Sequence, residues 1–287
     1  MNKKKLRRGD VCLNALIMCS AAVSVLLLLT IIVFVVAKGI GSVNWGFLTT
    51  VTSVRKGTIG IAGNIVNTLL IIVLTMVIVI PVGVGAAIYL NEYAKPGKMV
   101  TLIEFATEVL SGIPSIIFGL FGMMFFGETL GMGYSILTGS LTLILMVLPL
   151  IIRNTQEALK TVPDGYRHGA IGLGAGKWHM IRTILIPSAM PGIITGAILA
   201  IGRIVGESAA LIFTAGSAKL LPKSFLGIFD KIFQSGGTLT IQLYLSATSE
   251  GDFDTAFGIA FVLLVIVFGI NILTKLLTNH FDATKRK

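Results

Sequence analysis

Long apolar runs decide what this chain can fold into. Six stretches, at about 11–37, 64–90, 101–126, 134–152, 189–215 and 257–279, each come close to or exceed the ~20 residues a helix needs to cross a bilayer. A backbone in hydrocarbon must satisfy its hydrogen bonds within the protein, so segments of this length and composition read as helices. Composition agrees: 54% of the 287 residues are hydrophobic, 13% are charged and mean hydropathy is +0.92. A soluble domain would carry roughly a quarter charged residues. The expected fold class is an all-α membrane protein with six transmembrane helices.

The net charge of +10 is explained by where it sits. No basic cluster is interleaved with aromatics as a nucleic-acid stacking surface requires. With the amino terminus inside, the inner segments hold Lys3, Lys4, Lys5, Arg7, Arg8, Lys95, Lys98, Arg153, Lys160, Arg167, Lys177, Arg182, Lys285, Arg286 and Lys287. The outer segments hold only Lys38, Arg55, Lys56, Lys219, Lys223 and Lys231. The positive-inside rule therefore puts both termini in the cytoplasm, in the cell membrane. The first apolar run is too long for a signal-peptide core and reads as an uncleaved anchor. Four parts follow: a basic cytoplasmic amino terminus (1–10), a first transmembrane helix with its outer loop (11–62), a core (63–280) and a cytoplasmic tail (281–287). Cys12 and Cys19 fall inside the first run and read as small packing residues; no disulfide framework or metal-ligand spacing is present.

Several spans carry residues that helices of soluble proteins avoid. Pro81, Gly83 and Gly85 interrupt the second, Gly112 and Pro114 the third, and Gly202 and Gly206 the fifth. Each reads as a kink with tight packing, or as irregular backbone lining a cavity, the second reading being sharpest at Gly112-Ile113-Pro114-Ser115. In the outer segment 216–256, Phe225, Ile228, Phe229, Ile232 and Phe233 recur at helical spacing around Asp230 and Lys231. A short interfacial helix with an apolar face is expected there, either as a lid or as a docking surface.

The polar loop 153–187 is far longer than a turn between spans needs. Asp164 follows Pro163 and is placed to cap a helix starting at Gly165 or Tyr166. Gly172, Gly174 and Gly176 would end that helix, and a second helix from Lys177 would lead to Pro187, the junction with the fifth span. The glycines fit neither the phosphate-cradling Walker pattern nor the dinucleotide pattern, so nucleotide binding by this chain itself is not expected.

His168-Gly169-Ala170, three residues, Gly174, nine residues and Ile184-Leu185-Ile186-Pro187 resemble the EAA loop of type I ABC importer permeases, with His168 in place of Glu. The resemblance implies that this loop forms a cytoplasmic coupling helix seated in a groove of an ATPase. Gly57-Thr58-Ile59-Gly60, Asn67-Thr68-Leu69, Ile88 to Tyr93, Ser111 to Gly119 and Gly202 to Gly216 are similar to the PstA family of phosphate permeases. The sister family PstC shares parts of these segments. The resemblance spans about residues 55–279. It implies a phosphate-transporting permease fold, with a PstC-like second permease, PstB-like ATPase subunits and an extracytoplasmic PstS-like phosphate-binding protein as partners. His168, Gly169, Ala170, Gly174 and Pro187 would then carry the ATPase coupling.

Arg203 and Glu207 stand out on the residues alone as charges inside the fifth span. Such charges cost roughly 3 kcal/mol each on insertion scales and mark functional sites by default. Their i, i+4 spacing would put them on one helix face, able to pair. They read either as a self-neutralised packing pair or as a substrate path in which Arg203 meets an oxyanion while Glu207 holds the guanidinium between events. Guanidinium suits phosphate because its planar fork meets two oxygens at once. Glu104 and Glu108 share a face near the cytoplasmic end of the third span and read as interfacial or subunit-contact residues, away from anionic substrate. No nucleophile–base arrangement is present, so no enzymatic chemistry, cofactor or metal is expected on this chain, and ATP hydrolysis would belong to its partners. A permease for sulfate, molybdate or phosphonate, and an ion channel or secondary transporter, stand as the alternatives.

Overall fold

The computed structural model describes residues 8–53, 58–221 and 227–281. Lys3, Lys4, Lys5, Arg7, Arg55, Lys56, Gly57, Lys223, Phe225, Lys285, Arg286 and Lys287 lie outside them, as do the side chains of Arg8, Cys12 and His280.

The chain is almost entirely helical. α1 (Arg8–Gly39) leads to a short helix α2 (Trp45–Thr49) and a small antiparallel hairpin, β1 (Val51–Ser53) with β2 (Thr58–Ile61), in which Val51 faces Ile61. Then come α3 (Ala62–Ile88), α4 (Lys98–Gly112), α5 (Ser115–Gly122), α6 (Ile136–Lys160), α7 (Asp164–Gly172), α8 (Lys177–Met180) and α9 (Ile186–Gly206). α10 (Ala209–Thr214), α11 (Gly227–Ile232), α12 (Leu239–Thr248) and α13 (Phe253–Phe281) complete the chain. Among the described residues five helices are long and apolar enough to cross a membrane, and six if the bent pair α4–α5 forms one span.

α6 is the central helix, packed between α3 and α9. Its buried face, including Ile136, Leu143, Met146, Val147 and Ile151, meets Ile71, Met76 and Val79 of α3 and Ala200, Ile204 and Val205 of α9. α1 lies outside this core against α13, with Phe34 and Phe257 edge to face at 5.6 Å. Apart from the half-buried Ile32, Val35 and Val36, its apolar side chains from Leu13 onward are exposed, which suits lipid rather than water. Cys19 is exposed on α1, so the packing role expected of it is not found there.

The breaks fall at fewer places than the glycines and prolines suggested. α3 runs through Pro81, Gly83 and Gly85 without interruption and ends in a π-helical turn, Tyr89–Tyr93. Membrane helices tolerate such residues because neighbours re-satisfy the freed backbone. At Gly112–Ser115, by contrast, the axis turns by 101°, so the third apolar run is two helices rather than one straight span. α5 continues through a π-helical turn at Met123–Thr129. The fifth run breaks after Gly206, not at Gly202, and α10 is a separate short helix. α5 and α10 pack on each other so closely that a Cβ added at Gly119 would lie 2.7 Å from Ala210 Cα.

In the 216–256 segment the two stretches on either side of α11 are tied to the start of α3. Asn67 Nδ2 donates to the carbonyls of Ala218 and Gly237, both at 3.1 Å, and Asn64 Nδ2 donates to Gly237 at 2.9 Å. α11 turns Phe229 and Phe233 outward and keeps Ile228 and Ile232 half-buried. Lys231 is buried, its Nζ donating to the Ser235 carbonyl at 2.9 Å, and burial pushes its pKa down. The second helix of this segment, α12, had no counterpart in the sequence reading; it packs Leu239 and Ile241 into the core.

One ion pair joins three elements at the end of the molecule that carries the 153–187 loop. The Arg167 guanidinium on α7 donates through Nε and Nη2 to Glu92 Oε1 at 3.2 and 3.0 Å. It also reaches the Leu159 and Val162 carbonyls at the end of α6, at 3.0 and 2.9 Å, and Asp164 Oδ1 at 3.1 Å. All five guanidinium N–H groups are thereby used. The Glu92 side chain is only 6% exposed. Removing one partner of such a pair strands the other, which costs about 3–5 kcal/mol. Arg167→Ala should therefore lower the thermal midpoint of the purified protein sharply. Arg167→Lys should recover little of it, because an ammonium cannot reproduce the fork.

Candidate functional site

The loop between α6 and α9 is built as expected in outline and differently in detail. Asp164 does not cap α7: Pro163 occupies the cap position, and Asp164 is the first helical residue, bonded to Arg167. A side chain already inside the first turn points along the helix surface and meets a partner three residues on instead of the free N–H groups. α7 is closed by bonds from the Leu173, Gly174 and Ala175 amides to Gly169, Ile171 and Ala170. Gly174 has φ +81°, a conformation that costs an L side chain roughly 1–2 kcal/mol. His168, Gly169 and Gly174 are exposed, Ala170 is buried beside Met180 and Ile181, and Pro187 is half-buried.

Pro187 is not a junction. The helix runs unbroken from Lys177 to Gly206, with a π-helical turn at Ile181–Leu185 immediately before the proline. That wider turn accommodates a residue with no N–H to donate. Four large side chains around the turn stand in the open: Leu173 is 91% exposed, Trp178 60%, Ile171 57% and Tyr166 54%. Such a cluster marks a surface that another molecule covers. The sequence reading passed over these residues; the signal was Leu173 immediately before the positive-φ glycine, a position at the tip of any such turn. Lys177 is anchored nearby, its Nζ 4.9 Å from the centre of the Tyr93 ring.

The second feature is a polar cavity of about 390 Å³ between α4, α6 and α9. Glu104 and Glu108 of α4, Arg153 and Glu157 of α6, and Arg203 of α9 line it. α6 and α9 are antiparallel and in close contact: a Cβ added at Gly192 would meet Ala158 Cβ at 2.5 Å, and one at Gly196 would meet Asn154 Cβ at 2.8 Å. Continuing that register puts Arg203 level with Val147. Arg153, six residues further along α6, is then about 9 Å from it along the helix axes. Two guanidinium groups thus face one cavity at different depths.

The expected pairing of Arg203 with Glu207 is not found. α9 ends at Gly206, and Glu207 has extended geometry with φ −82° and ψ 122°, so the i, i+4 relation is lost. Its Oε1 accepts from the Ala210 amide at 3.0 Å, and its carbonyl accepts from Thr240 Oγ1 at 2.9 Å. Glu207 satisfies an open amide at the start of α10 and holds the break. Arg203 makes no ion pair within 4.0 Å among the described residues. Glu104 and Glu108, read as interfacial, line the cavity that holds Arg203 instead, because the bend at Gly112 swings their helix face toward α6 and α9. Arg153 was counted as a loop charge, yet it sits within α6, which runs on to Lys160. Among the described residues no group of three His, Cys, Asp or Glu side chains could hold a metal ion.

Comparison with known proteins places this architecture. The family described as binding-protein-dependent transport system inner membrane component matches residues 79–287. Over 196 residues the chain is 41% identical to the probable ABC transporter permease protein YqgI of Bacillus subtilis (strain 168), covering 68% of this chain and 67% of that one. It is 34% identical over 216 residues to the phosphate transport system permease protein PstA of Mycobacterium leprae (strain TN), covering 75% and 68%. A chain of the crystal structure of a bacterial alginate ABC transporter, in complex with an alginate pentasaccharide-bound periplasmic protein, superposes with a TM-score of 0.68 at 15% identity, covering 94% and 96%. The last likeness establishes the fold, that of ABC importer permeases. The matched span and the relatives together show that the chain belongs to the family of inner-membrane components of binding-protein-dependent transport systems.

Proposed function

We propose that the chain is the PstA-type permease subunit of an ATP-driven phosphate importer in the cell membrane, with both termini in the cytoplasm. The observation that carries the substrate is the cavity wall formed by Arg203 and Arg153 between three apolar helices. Neither guanidinium is in an ion pair within 4.0 Å among the described residues, and such a group matches the oxygens of a tetrahedral oxyanion by two parallel hydrogen bonds. The relative named a phosphate transport permease, and the Gly202–Gly216 segment with its Arg203, support phosphate among oxyanions.

In this reading a PstC-like permease completes the path. PstB-like ATPase subunits engage the α7 turn, and a PstS-like binding protein delivers phosphate from outside. Movement of the α7 turn on ATP binding and hydrolysis by the partners is passed into α6 and α9, whose arginines hand the anion along the cavity. Glu207 contributes by fixing the α9–α10 break that gives Arg203 its position. This chain transfers no group and makes no covalent bond.

Four outcomes test the reading. Arg203→Gln should abolish phosphate uptake in cells while the complex still assembles, and normal uptake by that variant would make the arginine structural. ATPase activity of the reconstituted complex should rise with phosphate-loaded binding protein and not with sulfate; the reverse would favour another oxyanion. Leu173→Asp should cost the complex its ATPase subunits on purification without lowering the thermal midpoint of the permease, since that side chain touches little of its own fold. A reporter fused at Gly131, between α5 and α6, should read as external. A cytoplasmic reading there would mean that α4–α5 enters and leaves on one side, and the topology would fail.

A further inference from the structure

α4 is unlike the other helices of the core. None of its residues is buried. Its polar side chains Glu104, Thr107, Glu108 and Ser111 fall on one face, at i, i+3, i+4 and i+7, and all four line the polar cavity. On its other flank, Thr107, Leu110 and Ile113 border a second, apolar cavity of about 370 Å³ closed by Leu145 and Ile152 of α6. The helix therefore stands between two voids, attached through the 101° bend at Gly112–Ser115. Val100 holds the start of the helix against Ala87, Leu90 and Ile152, whereas the stretch from Glu104 to Gly112 lies between the voids and ends in a glycine at the hinge.

The charges around the polar cavity are balanced, three acidic (Glu104, Glu108, Glu157) and three basic (Arg153, Lys160, Arg203). Glu157 and Lys160 pair with each other at 3.6 Å. That leaves two carboxylates on α4 and two guanidinium groups on α6 and α9, none in an ion pair within 4.0 Å among the described residues. The hydroxyls of Thr107 and Ser111 do not bind the two carboxylates, since they bond to main-chain carbonyls of α4 itself. Glu104 and Glu108 are one turn apart, about 6 Å along the axis, against about 9 Å for the two arginines, a difference that long, flexible side chains can span. Opposite charges facing one cavity between membrane helices attract one another, and an anion entering between them would compete for the same guanidinium groups.

We infer that α4 is a counter-ion arm: Glu104 and Glu108 swing onto Arg153 and Arg203 when the path is empty, and a transported anion displaces them. The inference rests on the phosphate reading above for the identity of the anion. Two bare arginines would hold a phosphate too well to release it, and a path must bind weakly enough to let its cargo leave. The carboxylates supply the competing partner that resets the site and closes it to anions between cycles. They act as positioning residues for Arg153 and Arg203.

The assembled complex, permease pair with ATPases, is the material for the test. Glu104→Gln/Glu108→Gln should raise retention of radiolabelled inorganic phosphate by the purified complex at least tenfold. The maximal uptake rate in proteoliposomes should fall several-fold with it. Glu104→Asp/Glu108→Asp keeps both charges and should restore release. Unchanged retention, or weaker retention in the Gln variant, would overturn the arm. A readout that needs no substrate separates this outcome from failure of the phosphate reading. In the anion-free complex the thermal shifts of Glu104→Gln/Glu108→Gln and Arg153→Gln/Arg203→Gln should be strongly non-additive when combined. Additive shifts would sink the proposal whichever anion is carried. Non-additive shifts in a complex that takes up no phosphate would leave the arm standing and remove the substrate assignment.

Discussion

The Glu92–Arg167 ion pair is the constraint on which the loop end of the molecule depends. A nearly buried carboxylate at the end of α3 has to be met by a cation, and the Arg167 that meets it brings α7 across the end of α6. Once Arg167 is there, its remaining N–H groups close the last carbonyls of α6, which a helix end otherwise leaves open. The turn with its exposed Leu173 is consequently mounted on two core helices rather than hanging from one. Breaking the pair would strand a nearly buried carboxylate, so in the proposed reading a displacement of this turn would be felt by α3 and α6.

The interior of the bundle follows a second rule, that irregular backbone in a membrane protein must be covered by protein. Both broken runs obey it together. α5 and α10, each beginning after a break, are pressed against one another at Gly119 and Ala210, so that each covers the other. Ser111 of the polar cavity stands just before the first break, and Arg203 stands one turn before the second. The Glu207 side chain, bonded to the Ala210 amide, ties the end of α9 to the start of α10.

Much of this could be read in the chain beforehand, and the exceptions have physical reasons. The apolar runs located α1, α3 and α13 to within a few residues, because hydrocarbon thickness leaves little freedom in length, whereas α6 runs eight residues past its expected end and α9 stops nine residues short of its own. The turn at Gly174 was legible because a positive φ selects glycine. The breaks were harder: Pro81, Pro149 and Pro191 all lie within continuous helices, while Gly112–Pro114 bends by 101°. A proline removes one hydrogen bond, and whether the helix yields depends on neighbours that no local pattern records. The Arg203–Glu207 spacing misled for the same reason, since i, i+4 holds only if the helix persists across Gly206. Arg153 and the α4 carboxylates needed the tertiary arrangement, for they join the site from other helices.

The tight contact of α6 with α9 has a mechanical consequence. The two helices leave opposite ends of the same loop and cross where Gly192 and Gly196 lie on Ala158 and Asn154. They resemble the blades of a pair of shears, with the glycine contact as rivet and the α7 turn in the handles. Arg203 lies seven residues beyond the rivet, about 10 Å. Opening the blades by about 10° would carry it nearly 2 Å sideways, enough to pull a bidentate hydrogen bond beyond its range. Arg153, one residue from the rivet, would scarcely move. A single angular motion would therefore act on one guanidinium and spare the other, loosening the anion's grip at one end of the cavity before the other.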